Sequence, residues 1–166
     1  MQNLTFEHAT IHNLPEIVAI YNSTVATRLV TADTEPVTVE SKMDWFNKHN
    51  TTNRPLWLVK SNHEIVGWVS FQSFYGRPAY NATAEISIYL HEQYRNKGFG
   101  KHILNYCIST APLLGVKTLL GFIFEHNQPS LKLFSALGFE EWAFLPKIAL
   151  LDDKEFGLKI LGMRVA

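Results

Sequence analysis

Glu85-Ile86-Ser87-Ile88-Tyr89-Leu90-His91-Glu92-Gln93-Tyr94-Arg95-Asn96-Lys97-Gly98-Phe99-Gly100-Lys101 is the stretch whose reading decides the fold. It opens inside a run, Thr83 to Leu90, that alternates with period two: Ala84, Ile86, Ile88 and Leu90 share one face, while Glu85, Ser87 and Tyr89 share the other. That is the pattern of a strand with two distinct faces. A short loop and two glycines follow. Helical spacing then resumes after Gly98, through Ile103, Leu104, Tyr106, Cys107 and Ile108, and stops near Pro112 and Gly115. Strand, glycines and helix in this order describe an anion site. Glycine lets the backbone approach a ligand closely, and the free N–H groups of a helix N-terminus, backed by its dipole, favour a pyrophosphate. Lys97, Lys101 and Arg95 add positive charge nearby. A Walker A loop is excluded because no Gly-Lys-Ser/Thr follows, and the three-glycine dinucleotide fingerprint is incomplete because Ile103 holds its third position.

Working towards the N-terminus, Gly76 and Pro78 break the pattern before this strand. Leu56 to Lys60 and Glu64 to Phe74 read as a β-hairpin around Ser61-Asn62-His63. A helix is expected over Val39 to His49, after a Thr- and Pro-containing loop from Thr31 to Pro36. Another starts at Asn13 as N-cap, with Pro15 and Glu16 in its first turn, and Leu4 to His8 is a first strand. Towards the C-terminus, Thr118 to Phe124 is a short apolar strand. Asn127, Pro129 and Ser130 start a helix that Gly138 ends, and strands at Glu140 to Leu150 and Glu155 to Val165 meet at an Asp152-Asp153 turn. The order βααβββαβαββ predicts an α/β chain around a mostly antiparallel sheet. Repeats, low-complexity tracts and linker-like runs are absent, so the whole chain, 1–166, reads as one domain.

Composition narrows the function classes. Fifteen basic and fifteen acidic residues, mixed along 166, give a formal net charge of zero, which argues against nucleic acid or an anionic membrane as partner. No stretch approaches the roughly 20 apolar residues of a membrane span, and the start, Met1 to Glu7, lacks the pattern of a secretory leader. The single cysteine, Cys107, lies among apolar helical positions and has no partner for a disulfide or zinc site, so a reducing, cytoplasmic setting is expected. Seven histidines show no metal-ligand spacing, and no metal is expected.

Arg95-x-x-Gly98-x-Gly100 after a strand resembles the acetyl-CoA pyrophosphate loop of the GNAT acetyltransferases. Asn127-x-x-Ser130 with Leu137-Gly138-Phe139-Glu140 resembles their next motif at the expected distance. More narrowly, Ile20-Tyr21-Asn22, Asp33-Thr34-Glu35-Pro36, Trp45-Phe46, Arg77-Pro78-Ala79-Tyr80 and Thr83-Ala84-Glu85 look like the phosphinothricin acetyltransferase branch. The resemblance implies a single-domain fold whose sheet splays between the fourth and fifth strands, with acetyl-CoA lying in the gap. By that resemblance Ile88, Tyr89 and Leu90 meet the pantetheine arm. Arg95, Asn96, Lys97, Gly98, Phe99, Gly100 and Lys101 hold the pyrophosphate, and Asn127 and Ser130 face the far side of the cofactor. A homodimer is implied in the same way.

An amine is protonated near neutral pH and only its free base attacks a thioester, so a proton acceptor is required. Glu85 is the candidate, against the plainer reading of a solvated strand carboxylate. Many family members carry a Tyr on the helix after the Asn as acid for the departing thiolate. Lys132-Leu133-Phe134-Ser135 offers Phe instead. Phe74, Tyr80 and Trp45 are candidate walls of an acceptor pocket, and Glu35 is a candidate ligand for the acceptor's ammonium. The expected acceptor is a small-molecule amine, an amino acid or an analogue of the phosphinothricin or methionine sulfoximine type. The rival readings are a peptide N-terminal acetyltransferase with an open groove and a CoA-binding regulatory module.

Overall fold

The structure, a computed structural model, describes residues 3–166; Met1 and Gln2, the first residues of the start read above for a leader, lie outside it. The strands are β1 (Leu4–His8), β2 (Leu56–Ser61), β3 (Glu64–Ser73), β4 (Thr83–Leu90), β5 (Thr118–Phe124), β6 (Glu140–Leu151) and β7 (Lys154–Arg164). The helices are α1 (Leu14–Val25), α2 (Met43–Asn47), α3 (Phe99–Thr110) and α4 (Gln128–Ala136). All the strands join one open sheet in the order β1-β2-β3-β4-β5-β7-β6, antiparallel throughout except for the parallel pair β4 and β5. The two hairpins close through two-residue turns, Asn62-His63 and Asp152-Asp153, in which every φ is positive. Asn and Asp tolerate that conformation, whose twist matches the flanking strands.

Two helix starts differ from expectation. The expected helix over Val39 to His49 is a 3-10 turn at Glu40–Lys42 followed by the single short helix α2. It stops because Asn50 Oδ1 accepts the N–H groups of Thr52 and Asn53, both at 2.9 Å, and so substitutes a side-chain turn for further helix. Asn13 does not cap α1 with its side chain. A 3-10 turn at Ile11–Asn13 precedes the helix, and Asn13 Oδ1 instead accepts from the Thr10 N–H at 2.8 Å.

The period-two pattern of β4 sorts the packing. Ala84 and Ile86 are buried with Val69 and Phe71 of β3 and Ile103, Leu104 and Cys107 of α3 on one face of the sheet. Burial pushes the Cys107 thiol well above its ordinary pKa, leaving it an inert core group. On the opposite face Leu14, Ile17, Ile20 and Tyr21 of α1 pack on Leu56 and Leu58 of β2 and Trp68 of β3. Each fully buried aliphatic side chain contributes about 1.5–3 kcal/mol relative to exposure. The helices are therefore fixed by the sheet.

The parallel pairing of β4 and β5 is brief. Thr83 faces Thr118, Ala84 faces Leu119 and Glu85 faces Leu120, after which the strands part. Ile86 to Leu90 have no strand partner on that side, while β5 continues along β7 as far as Phe124. Beyond the closed end sits Arg54, only 6% exposed. Its guanidinium donates to Ser73 Oγ at 2.9 Å and to the carbonyls of Asn53 and Asn81, both at 2.8 Å, and reaches the Thr83 carbonyl at 3.3 Å. One buried cation thus ties the end of β3, the connecting loop and the start of β4 together.

Candidate active site

Where β4 and β5 part, a cleft of about 470 Å³ opens between Ile86–Leu90 and Gly121–Ile123. The Gly98 end of the cleft is built from backbone. Gly98 has φ +83°, a left-handed conformation that glycine adopts at no steric cost, and it leads directly into α3. Free N–H groups at the first turn of α3 stand at the mouth of the cleft, with Asn96, Gly98, Gly100 and Lys101 among its walls. On the far side Asn127, 4% exposed, accepts the Ser130 N–H at 3.2 Å as the cap of α4, and both residues line the cleft. Ile88, Tyr89, Leu90 and Arg95 line it as well.

Lys97 and Phe99 do not. Lys97 Nζ lies 5.6 Å from the centre of the Tyr94 ring, and Phe99 is turned into the core, edge-on to the same ring at 5.7 Å. Arg95 lines the cleft but spends its donors within the chain, Nε on the Leu90 carbonyl at 3.2 Å and Nη2 on Ser23 Oγ at 2.7 Å. It pins the open end of β4 to α1. Phe134 lies over Gly121, where an added Cβ would stand 2.7 Å from its ring, and edge-on to Phe139 at 4.9 Å. The position that offers a phenol in many family members is filled here by an apolar ring.

On the opposite face of β4 a second cavity, about 170 Å³, holds Glu85. Its walls come from neighbouring elements: Gln72, which pairs with Glu85 across the sheet, and Trp68 from β3; Tyr21 from α1; Lys42 and Trp45 from the turn and helix after Val39. Ser87 and Tyr89 line both cavities, so β4 is the wall between them. The Tyr89 ring stacks on Trp68 at 4.6 Å and leans on Tyr21 at 5.1 Å. The Tyr21 hydroxyl bonds to Thr31 and donates to Asp33, which ties the 31–36 loop to this wall. Burial alone raises the Glu85 carboxyl to about 6. At neutral pH such a group is mostly ionised and holds a proton far better than an ordinary carboxylate.

The other acceptor-site candidates lie elsewhere. Glu35 is exposed on its loop. Phe74 and Tyr80, 5.5 Å apart, form an aromatic cluster in the loop between β3 and β4 and line neither cavity; Phe74 stacks at 6.4 Å behind Phe122, which does face the cleft. Tyr21, Lys42, Trp68, Gln72 and Ser87 were not among the candidate site residues of the sequence reading. Hairpin register could have supplied Trp68 and Gln72, since they face Tyr89 and Glu85 across β3 and β4. Nothing local marks Lys42.

Residues 17–139 match the acetyltransferase (GNAT) family. The chain is 51% identical over 164 residues, 98% of its length and 100% of the relative's, to the Bacillus subtilis (strain 168) protein named "Putative phosphinothricin acetyltransferase YwnH". It is 29% identical to the L-methionine sulfoximine/L-methionine sulfone acetyltransferase of Pseudomonas aeruginosa, over 84% of this chain and 82% of that one. A crystal structure described as a putative phosphinothricin N-acetyltransferase superposes with a TM-score of 0.95 at 50% identity, covering 99% of both chains. A splayed sheet, a glycine-led helix at the mouth of the gap and a match over most of the length agree: the chain belongs to the GNAT family of acetyltransferases, enzymes that use acetyl-CoA.

Proposed function

We propose that this protein moves the acetyl group of acetyl-CoA directly onto the amine of a small amino acid or amino-acid analogue, of the phosphinothricin or methionine sulfoximine type, with Glu85 as proton acceptor. The observation that carries the proposal is the position of Glu85 in a small cavity that shares the β4 wall with the large cleft. A donor in the cleft and an acceptor in the cavity would meet along that wall. The side chains around Glu85 suit a small polar acceptor: Gln72, Ser87 and Lys42 stand beside Trp45, Trp68 and Tyr89 in a cavity of about 170 Å³.

The residues of the cleft suit a long, anionic thioester. The unpartnered β4 backbone offers a strand edge to the pantetheine amides, and the start of α3 with Lys101 offers donors and charge to a pyrophosphate. Acetyl-CoA supplies the activated acetyl thioester. Glu85, raised to about 6 by burial, takes the proton from the amine directly or through a water as the N–C bond forms. A β4 N–H is the natural donor to the developing oxyanion. As the C–S bond breaks, sulfur leaves as thiolate. A thiol pKa of about 8.5 makes that tolerable without a general acid, which fits the apolar Phe134 at the α4 position.

A homodimer is part of the proposal. Trp142, Phe144, Ile148 and Leu150 are 44–62% exposed on the edge strand β6, a concentration of apolar surface that pairing of two copies would cover. The central test is release of CoA from acetyl-CoA with phosphinothricin, methionine sulfoximine, amino acids and short peptides, wild type against Glu85→Gln. Turnover on a small amine that collapses in the variant is the expected result. Turnover confined to peptides, or none on any amine despite acetyl-CoA binding, would overturn it.

A further inference from the structure

Lys42 is the cation of the acceptor cavity. Its ammonium lies 5.1 Å from the centre of the Tyr21 ring and 5.0 Å from that of Trp45, so two aromatic faces hold it in position at the cavity wall. Among the described residues it forms no ion pair; the cationic partners found are Arg28, Lys60 and Lys159. The nearby carboxylate, Asp33, is engaged by the Tyr21 hydroxyl. A half-buried ammonium without a bonded counter-ion is costly unless a ligand completes it.

Glu85 and Lys42 line the same cavity yet do not neutralise each other. The shift of Glu85 upward has burial as its one cause, and that of Lys42 downward comes from burial, opposed only by Asp33. Among the described residues no ion pair joins them, so the cavity presents two charges of opposite sign to whatever enters it. A zwitterion of amino-acid size has the complementary pair.

We infer that Lys42 binds the acid group of the acceptor, a carboxylate or phosphinate, and so selects amines that carry an anion over amines that do not. This rests on the proposed reading of the small cavity as the acceptor site. Lys42 then orients the acceptor by its acid end while its amine points to Glu85. Gln72 and Trp68 fill out the walls without adding charge.

The experiment pairs each acid with a counterpart that lacks the anion: L-methionine sulfoximine and L-methionine sulfone against their carboxamides. CoA release is followed in wild type, Lys42→Met and Lys42→Arg. Wild type should prefer acids over amides by tenfold or more in kcat/KM. In Lys42→Met that preference should fall to about threefold or less, through a rise in KM for the acids that exceeds any change for the amides. Lys42→Arg keeps the charge and should keep most of the preference, which separates recognition from a packing defect. A wild type indifferent to the acid group, or a Lys42→Met that retains the preference, overturns the inference while leaving acetyl transfer to small amines standing. Failure of the functional reading looks different: no member of either series releases CoA although acetyl-CoA binds, and the role of Lys42 falls with it.

Discussion

The two cavities flanking β4 are built in opposite ways. The larger includes backbone features that local sequence dictates, an unpartnered strand edge, a glycine in left-handed conformation and the first turn of a helix, with apolar side chains such as Leu133 and Phe134 along its walls. The smaller is built almost wholly from side chains that converge from α1, the segment after Val39, β3 and β4. A backbone site suits a ligand that never changes, since few side chains can alter it without breaking the fold. A side-chain site can be retuned residue by residue, and the proposed function puts the choice of acceptor there.

That contrast can be broken most sharply at Glu85. Glu85→Gln should lower kcat/KM by about 100-fold or more, the scale of a lost general base, while acetyl-CoA affinity measured by calorimetry stays within about twofold. Equal losses in both would mean that the cavities are not separable. In wild type, the pH profile of kcat/KM should show an inflection at the Glu85 value of about 6, since only the ionised carboxylate accepts a proton; in Glu85→Gln that inflection should be absent, leaving only the rise from deprotonation of the amine.

Arg54→Met probes the closed end of the splay. It strips donors from three carbonyls and Ser73 and should cost about 2–4 kcal/mol in chemical denaturation. Glu85→Gln should act in the other direction on stability. Folding raises this carboxyl from 4.5 to about 6, so the native state binds its proton more tightly and is penalised once the group ionises. The penalty is about 1–2 kcal/mol above pH 6 and disappears below 4.5, where both states are protonated. The variant should therefore melt a few degrees higher than wild type at pH 8 and equally at pH 4. The smallest effects separate the two lysines of the glycine loop: Lys101→Ala, at the cleft wall, should weaken acetyl-CoA about fivefold, and Lys97→Ala, whose ammonium sits at the Tyr94 ring, less than twofold.

The same contrast explains what the sequence revealed. The alternation of Thr83 to Leu90 and the glycines after it are local signals, and the strand faces and the glycine-led helix follow from them; the splay and the cleft residues were legible only through the resemblance to a family. Turn chemistry at Asn62-His63 and Asp152-Asp153 fixed the hairpins for the same reason. The smaller cavity depends on which distant side chains meet. Trp45 is among them, but Glu35, Phe74 and Tyr80 are directed elsewhere, and Lys42 gains its position from a turn that a longer helix would have displaced. Lys97 and Phe99 show the limit within a motif, where neighbouring positions in one loop point in different directions.

The brief pairing of β4 with β5 means that the two halves of the sheet are sewn together by three residue pairs and otherwise left as an open seam. A ligand laid along that seam would act as a removable strand, and its supply would set how firmly the halves are joined. Amide protons of Ile86 to Leu90 should then exchange faster without acetyl-CoA than with it, and melting temperature should climb with its concentration. The protein would report, in its own durability, how much activated acetyl group surrounds it.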